Sequence, residues 1–202
     1  MMLRLEFYVE EASAEAALIY LVPAILEGHD FEFEIYVFEG KPALLRKLPQ
    51  RLKAYQHSQD ENWRIIVLTD RDDEDCHEIK QKLEAMAHES GLITKSRNPA
   101  NFRMVNRIAV EELEAWFFGD IEAIMTAYPG VPETLNRQVG YRDPDAIRGG
   151  TWEKLERVLI KHHPGGLEKI RAAEEISQHM RPERNQSRSF QVFRDALIGL
   201  FK

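Results

Sequence analysis

Leu3, Leu5, Phe7 and Val9 recur at every second position, the period of a strand with one face turned inward, and the run stops at Glu10 and Glu11. Helical spacing follows. Ser13 suits an N-cap for a segment in which Ala17, Leu18, Leu21 and Ile25 form an apolar stripe, with Pro23 marking a kink or a last turn. Phe31, Phe33, Ile35 and Val37 restore the two-residue period, and Gly40 ends it. Residues 41–55 return to helix through Leu44, Leu45, Leu48 and Leu52, with Pro42 in the first turn and Pro49 interrupting. "WRIIVLT", residues 63–69, has no polar face in its middle, as in a strand covered on both sides, and it delivers Asp70 at its carboxyl end. A helix over 73–90 carries Ile79, Leu83 and Met86 one turn apart, and a fourth strand falls within 102–110, leading into "EELEAWFFGD" and a helix over 121–129. Beyond about residue 120 the strand signal disappears. Helices are predicted over 151–163 with Thr151 as N-cap, over 166–180, and over 189–201 with Ser187 or Ser189 as cap.

Strands alternating with helices imply right-handed crossovers and an α/β fold: a mainly parallel central sheet of about four strands flanked by helices. That domain is expected over residues 1–120, with an all-helical extension over 121–202 packed on it. In such sheets ligands collect beyond the carboxyl ends of the strands, where Glu10, Glu11, Asp70 and Asp72 all fall. The two acidic clusters are therefore expected to meet.

Charge and cysteine usage narrow the chemistry. A formal charge of −7 argues against a uniformly basic surface that coats nucleic acid, though not against a local basic patch. Cys76 is the only cysteine, so no internal disulfide and no cysteine-based zinc set can form. The start is too acidic for a signal peptide, and no run approaches a membrane span, so a cytoplasmic protein is expected.

Five acids stand within positions 70–76. Neighbouring carboxylates repel, so the stretch needs open solvent or a counter-charge. Asp70 and Asp72, two apart in an extended exit from the strand, can share a hard divalent cation such as Mg²⁺, and a glutamate from the first strand would complete the set. Asp73, Glu74 and Asp75 read instead as residues that cap and charge the next helix.

"FYVEE", an α/β unit and then "IIVLTDRDD" resemble the Toprim domain of primases, topoisomerases and overcoming-lysogenization-defect nucleases, which carries a Glu after the first strand and an Asp-x-Asp after the third. More closely, "VEEASAE", "GKPALLRKLPQRLKAY", "VLTDRDDEDC", "IAVEELEAWFFGD" and "NQSRSFQVF" are similar, in order and nearly end to end, to an uncharacterised family of bacterial Toprim-like proteins often encoded beside AAA-class ATPases. The resemblance implies phosphoryl transfer dependent on Mg²⁺ or Mn²⁺, with Glu10 as acid/base or metal-binding residue and Asp70 and Asp72 as metal ligands. Glu11 stands where Toprim domains usually have Gly, which leaves open whether Glu10 or Glu11 faces the site; Glu10 is preferred.

Glu111 and Glu114, three apart and so on one helix face, could serve a second cation, or could be a solvated face of a helix whose Leu113, Trp116 and Phe117 are core. Lys41, Arg188 and Ser189 are candidates for gripping phosphate, alongside Arg181, Arg184 and Ser187; the ordinary alternative is solvated surface or ion pairing with the chain's own acids. A single Gly-Lys at 40–41 is no Walker motif. Two functional classes emerge: a metal-dependent phosphodiesterase, foremost a nuclease, with anti-phage defence implied by the family's setting, and a non-catalytic partner of an ATPase that senses a phosphate-bearing ligand.

Overall fold

A computed structural model describes residues 2–56, 58, 60–163 and 167–201. It is an α/β fold with a four-stranded, all-parallel sheet flanked by helices. The order is β1 (Leu3–Val9), α1 (Ala12–Ile25), β2 (Phe31–Val37), α2 (Lys41–Lys53), β3 (Trp63–Asp70), α3 (Cys76–Glu89) and β4 (Met104–Ala109). Further α-helices follow among the described residues: α4 (Ala115–Phe118), α5 (Ile121–Ala127), α6 (Thr151–Leu159), α7 (Lys169–Ser177) and α8 (Arg188–Ile198). The strands lie in the order β2-β1-β3-β4.

The chain divides into two compact units. The first comprises Met1–Ala12 and Gly28–Ile108, the second Ser13–Glu27 and Ala109–Lys202, so the division falls earlier than residue 120 and places nearly all of α1 in the second unit. In the first unit, Tyr8, Ile65, Val67 and Met104 on one sheet face pack with Leu44, Leu48 and Leu52 of α2 and Ile79, Leu83 and Ala87 of α3. Burying one such side chain is worth roughly 1.5–3 kcal/mol, so this cluster fixes the register of the sheet. Leu5, Phe7 and Val9 on the opposite face of β1, and Ile66 and Leu68 of β3, are also buried, which explains why β3 shows no polar face. β2 is an edge strand whose alternation is only half expressed: Phe31, Phe33 and Ile35 are partly buried and Val37 is exposed.

Several local expectations shift. α1 begins at Ala12, so Ser13 lies inside its first turn instead of capping it, while Pro23 sits in the last turn. Pro49 does not end α2, which continues to Lys53. α3 begins only at Cys76, because the Asp75 side chain accepts from the N–H groups of His77 and Glu78 and caps it there. Gly166, the first residue of the helix predicted over 166–180, lies outside the described residues; α7 runs over Lys169–Ser177. Among the described residues, no helix is long and apolar enough to cross a membrane.

Candidate functional site at the β1/β3 crevice

From β1 the chain passes to β2 on one side, and from β3 it passes to β4 on the other. The boundary between β1 and β3 is therefore where the strand order reverses, the position at which parallel sheets open a crevice for ligands. Pairing of Val9 with Leu68 sets Glu10 beside Thr69 at the carboxyl edge.

Glu10 is buried, and one of its carboxylate oxygens accepts both the Thr69 hydroxyl and the Asp70 backbone N–H, the latter at 2.9 Å. Burial pushes the Glu10 carboxyl above the ordinary carboxylate range, although the Thr69 hydroxyl, the Asp70 N–H and the charge of Lys41 all pull it down, and the negative charge of Asp72 adds to the rise. Of the two neighbouring glutamates, Glu10 is buried and Glu11 half-buried. Thr69 had no sequence signal of its own; only the register identifies it.

Lys41 reaches the same edge from the start of α2. Gly40, at φ 86°, adopts the left-handed backbone that the turn needs, and its N–H donates to the Glu10 carbonyl at 2.9 Å. The buried Lys41 ammonium then donates to Asp72 Oδ2 at 2.8 Å, Glu74 Oε1 at 3.0 Å and the Arg71 carbonyl at 3.2 Å. Burial alone would lower the Lys41 pKa, but the Asp72 and Glu74 carboxylates more than offset it and the net shift is upward. Lys41 in turn holds the Glu74 carboxyl below its ordinary value. Asp72, at φ 52°, turns the chain so that its carboxylate meets Lys41. The counter-charge demanded by the acidic stretch is thus this lysine, and Glu74 is more than a helix-charging residue.

Among the described residues, Glu10, Asp70 and Asp72 are not grouped as a cage for a metal ion. Asp70 presents its backbone N–H to Glu10, and strand alternation directs its side chain to the sheet face opposite that of Thr69. Asp72 is occupied by the Lys41 ammonium. The oxygens are of the type a hard cation takes, but among the described residues no three His, Cys, Asp or Glu are grouped to hold a metal ion.

The second acidic candidate also reads differently. Residues 111–114 are not helical: Glu111 has φ 62°, and α4 starts only at Ala115, so Glu111 and Glu114 do not share a helix face. Glu114 is fully buried, with Lys169 Nζ 3.4 Å from its Oε1. Glu112, between them, has a defined task. Its Oε2 accepts from Thr151 N at 2.7 Å, Thr151 Oγ1 at 2.7 Å and Trp152 N at 2.9 Å, so a distant carboxylate caps α6 where Thr151 was expected to. Glu112→Ala is expected to cost about 1–2 kcal/mol, measurable by chemical denaturation.

At the start of α8, Ser187 is the N-cap, accepting from Phe190 N. The place foreseen for phosphate is taken by Asp145, which accepts from Ser189 N at 2.9 Å, Ser189 Oγ at 2.9 Å and Ser187 Oγ at 2.7 Å. Arg184 pairs with the buried Asp120 at 2.7 Å and with Glu122, and the Arg181 N–H donates to Asp120 at 2.9 Å. Ser189 is therefore part of an internal joint, and Arg188 is exposed. That joint brings together two of the sequence blocks: Trp116 Nε1 donates to Ser189 Oγ at 2.9 Å and its ring packs on Phe190 and Phe193.

No curated protein and no solved structure matches the chain. One family model does, over residues 9–198, described as "Domain of unknown function (DUF4276)". It covers Glu10, Lys41 and Thr69 as well as the joint of the second unit, so the chain belongs to the DUF4276 family.

Proposed function

We propose that this chain is a phosphodiesterase, and specifically a nuclease, acting at the β1/β3 crevice. The observation that carries the reading is Glu10: a buried carboxyl with a raised pKa, held by Thr69 and the Asp70 N–H at the reversal point of a parallel sheet, near a buried lysine. A carboxyl shifted toward neutrality can accept a proton from an attacking water or return one to a leaving oxygen, and Lys41 offers positive charge for a phosphate. The Toprim-like order of Glu10, Asp70 and Asp72 supports the same reading. Dependence on Mg²⁺ or Mn²⁺ is implied by that likeness alone; as arranged, Asp72 is neutralised by Lys41. The test is cleavage of DNA and RNA with either ion, with and without the neighbouring ATPase. Glu10→Gln, with folding checked by circular dichroism, is expected to lower product by roughly 10²–10⁴-fold, and unchanged cleavage would remove Glu10 from the site.

A second reading, a non-catalytic partner of an AAA-class ATPase that senses a phosphate-bearing ligand, draws on a specific observation. The chain's own acids engage Lys41 and Ser189, two of the groups foreseen for phosphate, and the formal charge is −7. A role in anti-phage defence belongs to either version. Stable copurification with the ATPase and no cleavage by the pair would favour the sensor.

A further inference from the structure

At the opposite, amino edge of the sheet, β3 begins with Trp63 and Arg64, and Arg103 precedes β4, its carbonyl accepting from Ile65 N at 2.8 Å. The pairing forces Arg64 and Arg103 into one neighbourhood, around a cavity of about 350 Å³ also lined by Trp63, Tyr55, Gln56 and Asn101. Two guanidiniums in the wall of one cavity repel each other, at a cost unless an anion offsets it. Among the described residues no carboxylate is paired with either, although Glu61 also lines the cavity. Arg64 Nη1 donates to the carbonyls of Glu61 and Trp63, both at 2.8 Å, and Arg103 Nη1 donates to the Asp60 carbonyl at 2.7 Å. Among the described residues neither arginine forms an ion pair; Glu61 acts on Arg64 only through space. Burial and then the Arg103 charge press the Arg64 pKa downward. Arg103 is fixed by stacking, its Cζ 5.0 Å from the centre of the Trp63 ring, and Trp63 is fixed by its indole N–H donating to Ser58 Oγ at 2.9 Å and by Tyr55, whose ring centroid lies 4.7 Å away.

Two guanidiniums lining one cavity, each with N–H groups beyond those already donated, beside the Gln56 and Asn101 side-chain amides, suit the oxygens of a phosphate group. We propose that this cavity is a second site, distinct from the β1/β3 crevice, which binds a small phosphate-bearing anion through Arg64 and Arg103. Free pyrophosphate and the phosphate of a nucleotide share that chemistry. The inference does not depend on the crevice being catalytic.

The full chain, uniformly labelled with ¹⁵N, is titrated with pyrophosphate and separately with AMP in metal-free buffer. Resonances of the Trp63 indole N–H and the Arg64 and Arg103 side chains are expected to shift with saturation. Binding measured by calorimetry is expected to weaken at least about tenfold in Arg64→Gln and in Arg103→Gln, and to persist in Lys41→Met. Should either glutamine variant fail to fold, Arg103→Lys, which keeps the charge but not the fork, is expected to bind weakly as well. Tighter binding of AMP would identify a nucleotide as the source, and equal or tighter binding of pyrophosphate a free oxyanion. Shifts confined to residues around Lys41, or no shift with either probe, would overturn the proposal.

Discussion

Glu10→Gln is expected to lower phosphodiester cleavage by roughly 10²–10⁴-fold while leaving the melting temperature at neutral pH unlowered. Glutamine is nearly isosteric, and its amide oxygen can still accept from the Thr69 hydroxyl and the Asp70 N–H, so the local hydrogen bonds survive. What it removes is a proton carrier. The sign of the stability effect follows from the raised pKa of Glu10 in the folded chain, caused chiefly by burial. A carboxyl with a raised folded pKa contributes stability that is fully present below its unfolded value, about 4.3, and is lost as pH rises through the folded value. At pH 7 the charged Glu10 is therefore a net cost, relieved only partly by Lys41, and removing the charge does not destabilise. Melting curves at pH 7 and near pH 4 should show the variant gaining on the wild type at the higher pH. A variant that melts well below the wild type at pH 7 would mark Glu10 as a structural residue.

Gly119→Ala is expected to destabilise the 202-residue chain by about 3 kcal/mol, lowering its melting temperature by roughly 6–12 °C. The backbone conformation at Gly119 is ordinary, so the cause is space. A Cβ there would overlap the Asn185 side-chain oxygen and lie 2.8 Å from Asn185 Cγ and 2.9 Å from the Ser187 backbone nitrogen. Asn185 cannot swing away without loss, since it is buried, donates to the Trp116 carbonyl at 2.7 Å and accepts from Ser187 N at 2.9 Å. Gln186 N also donates to the Gly119 carbonyl at 2.8 Å, which ties the two backbones together. Calorimetric scanning of the variant checks the effect; an unchanged transition would mean that the 185–187 loop yields more easily than its hydrogen bonds imply.

These two residues illustrate what the sequence discloses. Strand periodicity places Glu10 at the end of β1 and Asp70 at the end of β3, and alternation with helices implies a parallel sheet, because those signals come from burial patterns local to each segment. Side-chain direction at a strand end is harder. Thr69 and Asp70 differ by one position and face opposite sides, so register decides which of them Glu10 meets through its side chain. The pairing of Lys41 with Asp72 and Glu74 spans about thirty residues and leaves no periodic trace, and the acidic run therefore reads as a cation cage from sequence. The blocks "EELEAWFFGD" and "NQSRSF" raise the same difficulty. Their polar residues suggest ligands, whereas Glu112, Asp120 and Asp145 spend their oxygens on helix N-termini and a neighbouring arginine. What is legible there is the Ser187 cap and the apolar core positions, Leu113, Trp116 and Phe117 in the first block and Phe190 in the second, since capping and apolar patterning are local properties.

The most direct measurement is the product formed when the purified chain, alone and with any AAA-class ATPase encoded beside it, is incubated with linear DNA or RNA and Mg²⁺ or Mn²⁺, wild type beside Glu10→Gln at matched folded fraction. The account predicts cleavage by the wild type in at least one of these mixtures and a loss of at least about 10²-fold in the variant. Equal cleavage by the variant, or none by the wild type in any mixture, would contradict it.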